Sequence, residues 1–260
     1  MANSVIEDPW RELGRATPAR IGLGRAGSSL PTREVLGFSL AHARARDAVY
    51  AEFEAEGIAR QIEALGWRSL RVASAAPDRP TYLRRPDLGR RLSHDSRRAL
   101  EAQPREAVDL AIVVADGLSA LAVNLNAVPL LAGFQRYAER AGWRVAPVVL
   151  ASQARVALGD EVGELLRARM TVLLVGERPG LSSADSLGVY LTYAPRVGRV
   201  DGERNCVSNV REAGLKPELA AFKIAWLVER ALSLSLTGVA LKDESDALLE
   251  GGRPVPLVAK

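Results

Sequence analysis

Residues 108–116 read VDLAIVVAD, a nearly unbroken run of small and β-branched apolar side chains that stops at an acid. It is too short for a membrane helix and does not alternate, so it predicts a strand buried on both faces, as strands of parallel sheets are. Downstream, the spacing predicts a helix over 118–141, interrupted or kinked at Pro129, then a strand at 145–150. A helix at about 160–169, a strand at 170–176, a candidate strand at 187–193 and a helix over 217–236 follow, the last with Pro217 in its first turn and Gly238 beyond its end. Strands alternating with helices imply βαβ units with right-handed crossovers, hence an α/β fold with a doubly wound, mostly parallel sheet. Ligands in such sheets sit beyond the carboxyl ends of the strands, which directs attention to the loops after Ala115, Leu150 and Gly176.

Upstream the texture differs. Apolar positions from Val35 to Ile62 recur at helical spacing within 32–65, and Gly66 marks a stop. Residues 67–73, WRSLRVA, read as a short strand or as a loop with buried anchors, and Pro77, Pro80 and Pro86 mark a linker. This divides the chain into an N-terminal arm and helical region with an Arg/Pro-rich linker, 1–104, and an α/β domain, 105–260. The first part holds 17 Arg against 13 acids, six of the Arg within RRPDLGRRLSHDSRR at 84–98. Without interleaved aromatics for base stacking, that run reads as a solvated or partner-facing linker rather than a nucleic-acid site.

With 260 residues, 48% of them hydrophobic and 25% charged, the chain can bury a sizeable core, which excludes disordered and collagen-like classes. No apolar stretch approaches the ~20 residues of a membrane helix. MANSVIEDPWRELGR has acids and a proline where a secretory signal needs an apolar segment, so a cytoplasmic location is expected. One cysteine, Cys206, and two histidines, His42 and His94, supply neither a disulfide nor a Cys-rich zinc site.

Gly22-Leu23-Gly24-Arg25-Ala26-Gly27 spells G-x-G-x-x-G, but a dinucleotide fingerprint must follow a strand and open a helix. Here only RIGL precedes it, and the expectation is a glycine-permitted irregular arm. Asp116 ends the first strand, where a carboxylate holds a ligand or, by preference, serves a turn or caps the next helix. Residues 177–186, ERPGLSSADS, form a loop dense in hydrogen-bonding groups at a strand's carboxyl end, and Glu177 there suits amide or hydroxyl donors. A solvated surface turn is the competing reading. Cys206 lies in a polar run, NCVSN, and a nucleophilic role would need a histidine from the N-terminal part. With no P-loop, G-x-S-x-G or H-E-x-x-H pattern, the residues point to a ligand-binding subunit without a self-sufficient catalytic set.

DPWRELGRATPARIGLGRAG at 8–27, LPTREVLGFSLAHARARDAV at 30–49, VADGLSA at 114–120, ARVALGDEVGE at 154–164, LLVGERPGLSSADSLGVYLTYAPR at 173–196 and NCVSNVR at 205–211 form an ordered series of long motifs. On them rests a resemblance, over nearly the whole chain, to the small (light) subunit of ethanolamine ammonia-lyase. It implies a carbon–nitrogen lyase that uses adenosylcobalamin and a radical mechanism to convert ethanolamine to acetaldehyde and ammonia. The implied assembly has six large and six small subunits, with the substrate pocket mainly in the large one.

The cobalamin contacts it implies for this chain are Val156 through its backbone, Glu177 and Cys206, with no catalytic residue and no metal ligand. No histidine follows His94 and no D-x-H-x-x-G pattern occurs, so base-on cobalamin, with its own benzimidazole on cobalt, is the compatible mode. The motifs begin at Asp8; if a longer N-terminal extension carries such enzymes into a bacterial microcompartment, this chain is expected to lack it. Two other readings compete: a stand-alone corrinoid- or dinucleotide-binding module without catalysis, and, ranked last, an Arg-rich nucleic-acid binder.

Overall fold

A computed structural model describes residues 5–104, 106–250 and 253–254. In chain order the elements are β1 (Val5–Ile6), β2 (Arg25–Ala26), α1 (Thr32–Tyr50), α2 (Ala55–Ala64), β3 (Ser69–Ala73), α3 (Arg79–Arg84) and α4 (His94–Glu101). They continue with β4 (Val108–Ala115), α5 (Ala120–Ala141), β5 (Val148–Ser152), α6 (Leu158–Leu165), β6 (Ala168–Gly176), β7 (Leu187–Tyr193), β8 (Asn205–Val210) and α7 (Pro217–Leu234).

Six strands form one sheet in the order β3-β5-β4-β6-β7-β8. The first four run parallel, while β7 and β8 add on antiparallel. The fold is therefore α/β and mostly parallel, as the alternation of strands and helices predicts. From β4 the chain goes to β5 on one side and then to β6 on the other, so strand order reverses around β4.

The strand that decided the fold lies at the centre. Residues 110–115 are fully buried because successive side chains enter opposite layers. Leu110, Ile112 and Val114 pack with Ile58, Phe134 and Ile224 under α2, α5 and α7. Ala111, Val113 and Ala115 pack with Leu100, Leu158 and Val162 under α4 and α6. Each large side chain so buried contributes about 1.5–3 kcal/mol.

Several boundaries differ from the sequence expectation. Residues 32–65 are helical as expected, divided into two helices, and of the two readings of 67–73 the strand is the one that forms, pairing with β5 at the sheet edge. The helix over 120–141 runs through Pro129 without interruption; Pro129 lies on its exposed face. It begins with the Ala122 N–H donating to Ser119 and ends at Gly142 with φ 66°. The helix expected at 160–169 ends at Leu165, since Arg167 takes φ 53° and turns the chain into β6.

At the N-terminus, β1 and β2 pair as a short hairpin. Gly24, with φ 74°, would place a Cβ 2.6 Å from the Ile6 carbonyl oxygen, so the G-x-G-x-x-G glycines fold an arm and open no helix. No helix among the described residues is long and apolar enough to cross a membrane.

Candidate functional site

Three loops meet at the carboxyl ends of β4, β5 and β6. After β4, the buried Asp116 carboxylate accepts from the N–H groups of Gln153 (2.9 Å) and Ala154 (3.1 Å). The Arg79 guanidinium stands 3.5 Å from it and donates to the Gly117 carbonyl at 2.7 Å. Burial raises the Asp116 pKa against these partners. Asp116 thus serves a turn, tying the loop after β4 to the loop after β5; the helix cap it was also expected to provide belongs to Ser119. The loop after β6 presses on the same place: a Cβ on Gly176 would lie 2.0 Å from the Ser119 carbonyl oxygen.

After β5 the chain runs through Gln153, Ala154, Arg155 and Val156. The Tyr82 hydroxyl donates to the Ala154 carbonyl at 3.2 Å, and the Arg155 guanidinium lies 4.6 Å from the Tyr82 ring centre. The Val156 carbonyl accepts from Gly159, while its N–H finds no acceptor among the described residues.

After β6, Glu177 pairs by its N–H with the Ser186 carbonyl (3.0 Å), and its carboxylate accepts from the Ser186 hydroxyl. Ser119 donates to the Ala184 carbonyl (2.8 Å), and Arg211 to the Ser182 carbonyl (3.0 Å). These bonds hold 177–186 in place at the surface, where Arg178, Leu181 and Ser182 are exposed.

The loops enclose a cleft of about 1040 Å³, at the upper end of ligand-site volumes. Val156 and Glu177 line it. Cys206 stands beside it: on β8 it is paired across the ladder with Tyr190 of β7, which lines the cleft. Desolvation and the Glu177 charge push the thiol of this exposed cysteine up, against the opposing effect of Tyr190. The two histidines lie on the N-terminal helices, with the His42 ring against Phe38 and His94 beside Asp95. Neither lines the cleft.

Sequence reasoning missed the arginine wall. Residues 84–98, read as a linker, hold the end of α3, a single 3-10 turn and the start of α4, and they bring Arg90, Arg91 and Arg97 to the cleft. Two staples fix the segment there: the Leu92 N–H and Arg97 both donate to Glu161 of α6, at 2.8 and 2.7 Å. The proline spacing concealed these bonds, whereas the dense arginines were their visible signal. NCVSN, read as a polar run, is a strand; its exposed side faces solvent, which thins its apolar content.

The sequence profile of the ethanolamine ammonia-lyase light chain (EutC) matches residues 7–242. The chain belongs to the ethanolamine ammonia-lyase light-chain family. An ethanolamine ammonia-lyase small subunit of Pseudomonas putida is 56% identical over 244 residues, covering 92% of this chain and 89% of that protein. Those of Azotobacter vinelandii (54% identical, 97% of this chain, 95% of the relative) and Ralstonia nicotianae (53%, 96% and 94%) are similar over still more of the chain. The matched span takes in the arm, the arginine segment and all three loops of the cleft.

Proposed function

We propose that this chain is the small subunit of an adenosylcobalamin-dependent ethanolamine ammonia-lyase, a carbon–nitrogen lyase that converts ethanolamine to acetaldehyde and ammonia. The observation that carries the cofactor reading is the pairing of a free Val156 N–H and the Glu177 carboxylate on one cleft beyond the carboxyl ends of the sheet. A corrin ring is fringed with amide side chains, whose N–H groups and carbonyl oxygens need such an acceptor and such a donor. Val156 and Glu177 on this cleft suit a large, amide-rich cofactor.

The division of labour follows. Adenosylcobalamin supplies homolytic cobalt–carbon chemistry when bound. Glu177, oriented by Ser186, holds amide donors; the Val156 N–H donates to an amide carbonyl; and Cys206, beside Tyr190, is a close-packing or weak hydrogen-bonding contact to the cofactor. Since neither histidine lines the cleft, the chain offers no imidazole for cobalt, in keeping with base-on binding.

The substrate site belongs to a large subunit, with six large and six small subunits in the assembly. α1 supports such a partner: it buries only Ala41 and Ala48 of its 19 residues and leaves Val35, Leu36, Phe38 and Leu40 exposed. The deciding experiment is acetaldehyde release from ethanolamine by this chain and a matching large subunit, separately and together, with and without adenosylcobalamin. Release only from the complete mixture is expected. No release from a mixture shown to form the complex would overturn the assigned reaction.

A further inference from the structure

Six arginines line the cleft, and only some are neutralised. Arg97 meets Glu161 at 2.7 Å, and Arg199 is paired with Glu203. The guanidinium groups of Arg90, Arg91 and Arg178 meet no acceptor of the chain among the described residues. Arg155 has only the Tyr82 carbonyl, at 3.3 Å, and the Tyr82 ring face, while its Nε is buried with no hydrogen-bond partner.

Arg90, Arg91 and Arg155 also come from segments locked to one another. The Arg155 N–H donates to the Gly89 carbonyl at 2.8 Å. Gly89 sits so close that a Cβ there would be 2.9 Å from the Tyr82 ring and 3.1 Å from Arg155 Cγ. The backbone that carries these arginines is therefore fixed on the Val156 side of the cleft, with Arg90 and Arg91 exposed there. Unneutralised like charges held together on a concave wall repel, and the field is relieved when an anion enters. Planar guanidinium forks suit phosphate oxygens best.

We propose that Arg90, Arg91 and Arg155 form a subsite for a phosphodiester carried by the cleft's ligand. Resting on the corrinoid reading above, that group is the phosphate of the nucleotide loop joining the benzimidazole riboside to the macrocycle. The neutral amides of the corrin account for Glu177 and Val156 but call for no guanidinium wall; the phosphodiester does. The small subunit thereby selects complete cobalamins over corrinoids that lack the loop.

The test is equilibrium binding to the complex of this chain with its large subunit, followed by dialysis and corrin absorbance, using cyanocobalamin and cobinamide, which keeps the macrocycle and amides but has no phosphodiester. Arg90→Ala with Arg91→Ala should weaken cyanocobalamin by about ten-fold or more, the loss of one charge-assisted contact or more, and should flatten its salt dependence. Cobinamide affinity should stay unchanged, which also certifies the folded cleft. Arg90→Lys with Arg91→Lys should restore part of the loss. Equal weakening of both corrinoids, or unaltered cyanocobalamin binding, overturns the subsite while leaving the cofactor reading standing. An unmodified complex that binds neither corrinoid overturns both.

Discussion

The Asp160 carboxylate grips the Arg204 guanidinium with two bonds of 2.5 and 2.6 Å, and both side chains are 2% exposed. Arg204 also donates to the Thr192 hydroxyl and the Arg199 carbonyl, each at 2.9 Å, so this pair ties the first turn of α6 to β7 and the approach to β8. It braces the cleft from below, since Asp160 is one of its lining residues. Asp160→Asn should cost about 3–5 kcal/mol in urea unfolding, because it leaves a buried guanidinium uncompensated. Replacing both partners, Asp160→Leu with Arg204→Met, should recover most of that loss. A single variant as stable as the parent would show that water reaches Arg204.

Tyr82 gives the cleft wall a pH limit. Its hydroxyl is buried against the Ala154 carbonyl, and desolvation, followed by the Asp116 charge, pushes its pKa up to about 12 from 10. The folded state thus favours the neutral phenol. Its contribution to stability is whole below pH 10 and is lost as pH rises through 12, by up to about 3 kcal/mol for two units. Tyr82→Phe should start less stable by roughly 1 kcal/mol, the worth of one hydrogen bond, and lose less between those pH values. Parallel unfolding curves for parent and variant across that range would contradict this.

How much of this was legible depends on which force fixed each element. VDLAIVVAD announced a buried parallel strand because both its faces are packed, and the periodicity of α5 and α7 survived because each lays an apolar stripe on the sheet. β8 was not legible, since its burial alternates irregularly and a register shift interrupts its pairing with β7. The cleft divided in the same way. Glu177 stood out as an acid directly after a strand, whereas Arg155, Tyr82 and Arg90 converge only through long-range bonds to backbone carbonyls and to one ring, contacts that local spacing does not encode.

Glu177→Gln should weaken cobalamin retention by the complex about ten-fold or more and leave the KM for ethanolamine nearly unchanged. The carboxylate holds two oxygens for donors; with one engaged by Ser186, the amide leaves a donor where an acceptor is needed. The pair of measurements is cofactor dissociation by dialysis and the KM at saturating cofactor. Unchanged cofactor affinity would remove Glu177 from the site.

The apolar residues of α1 do not keep to one side of the helix. Val35 and Phe38 share one face and Leu36 and Leu40 another, all about half exposed. A helix apolar on more than one face belongs inside an assembly rather than on a free surface. Because these side chains gain little from the fold of the isolated chain, Leu36→Asp with Phe38→Asp should leave its urea midpoint within about 0.5 kcal/mol of the parent. The same change should weaken association with the large subunit by about a hundred-fold or more, as removal of central apolar anchors does. Sedimentation of mixtures at fixed concentration reads this directly. Undiminished complex formation would take α1 out of the interface and leave the arm, with the exposed Trp10 and Leu13, as the surface to test.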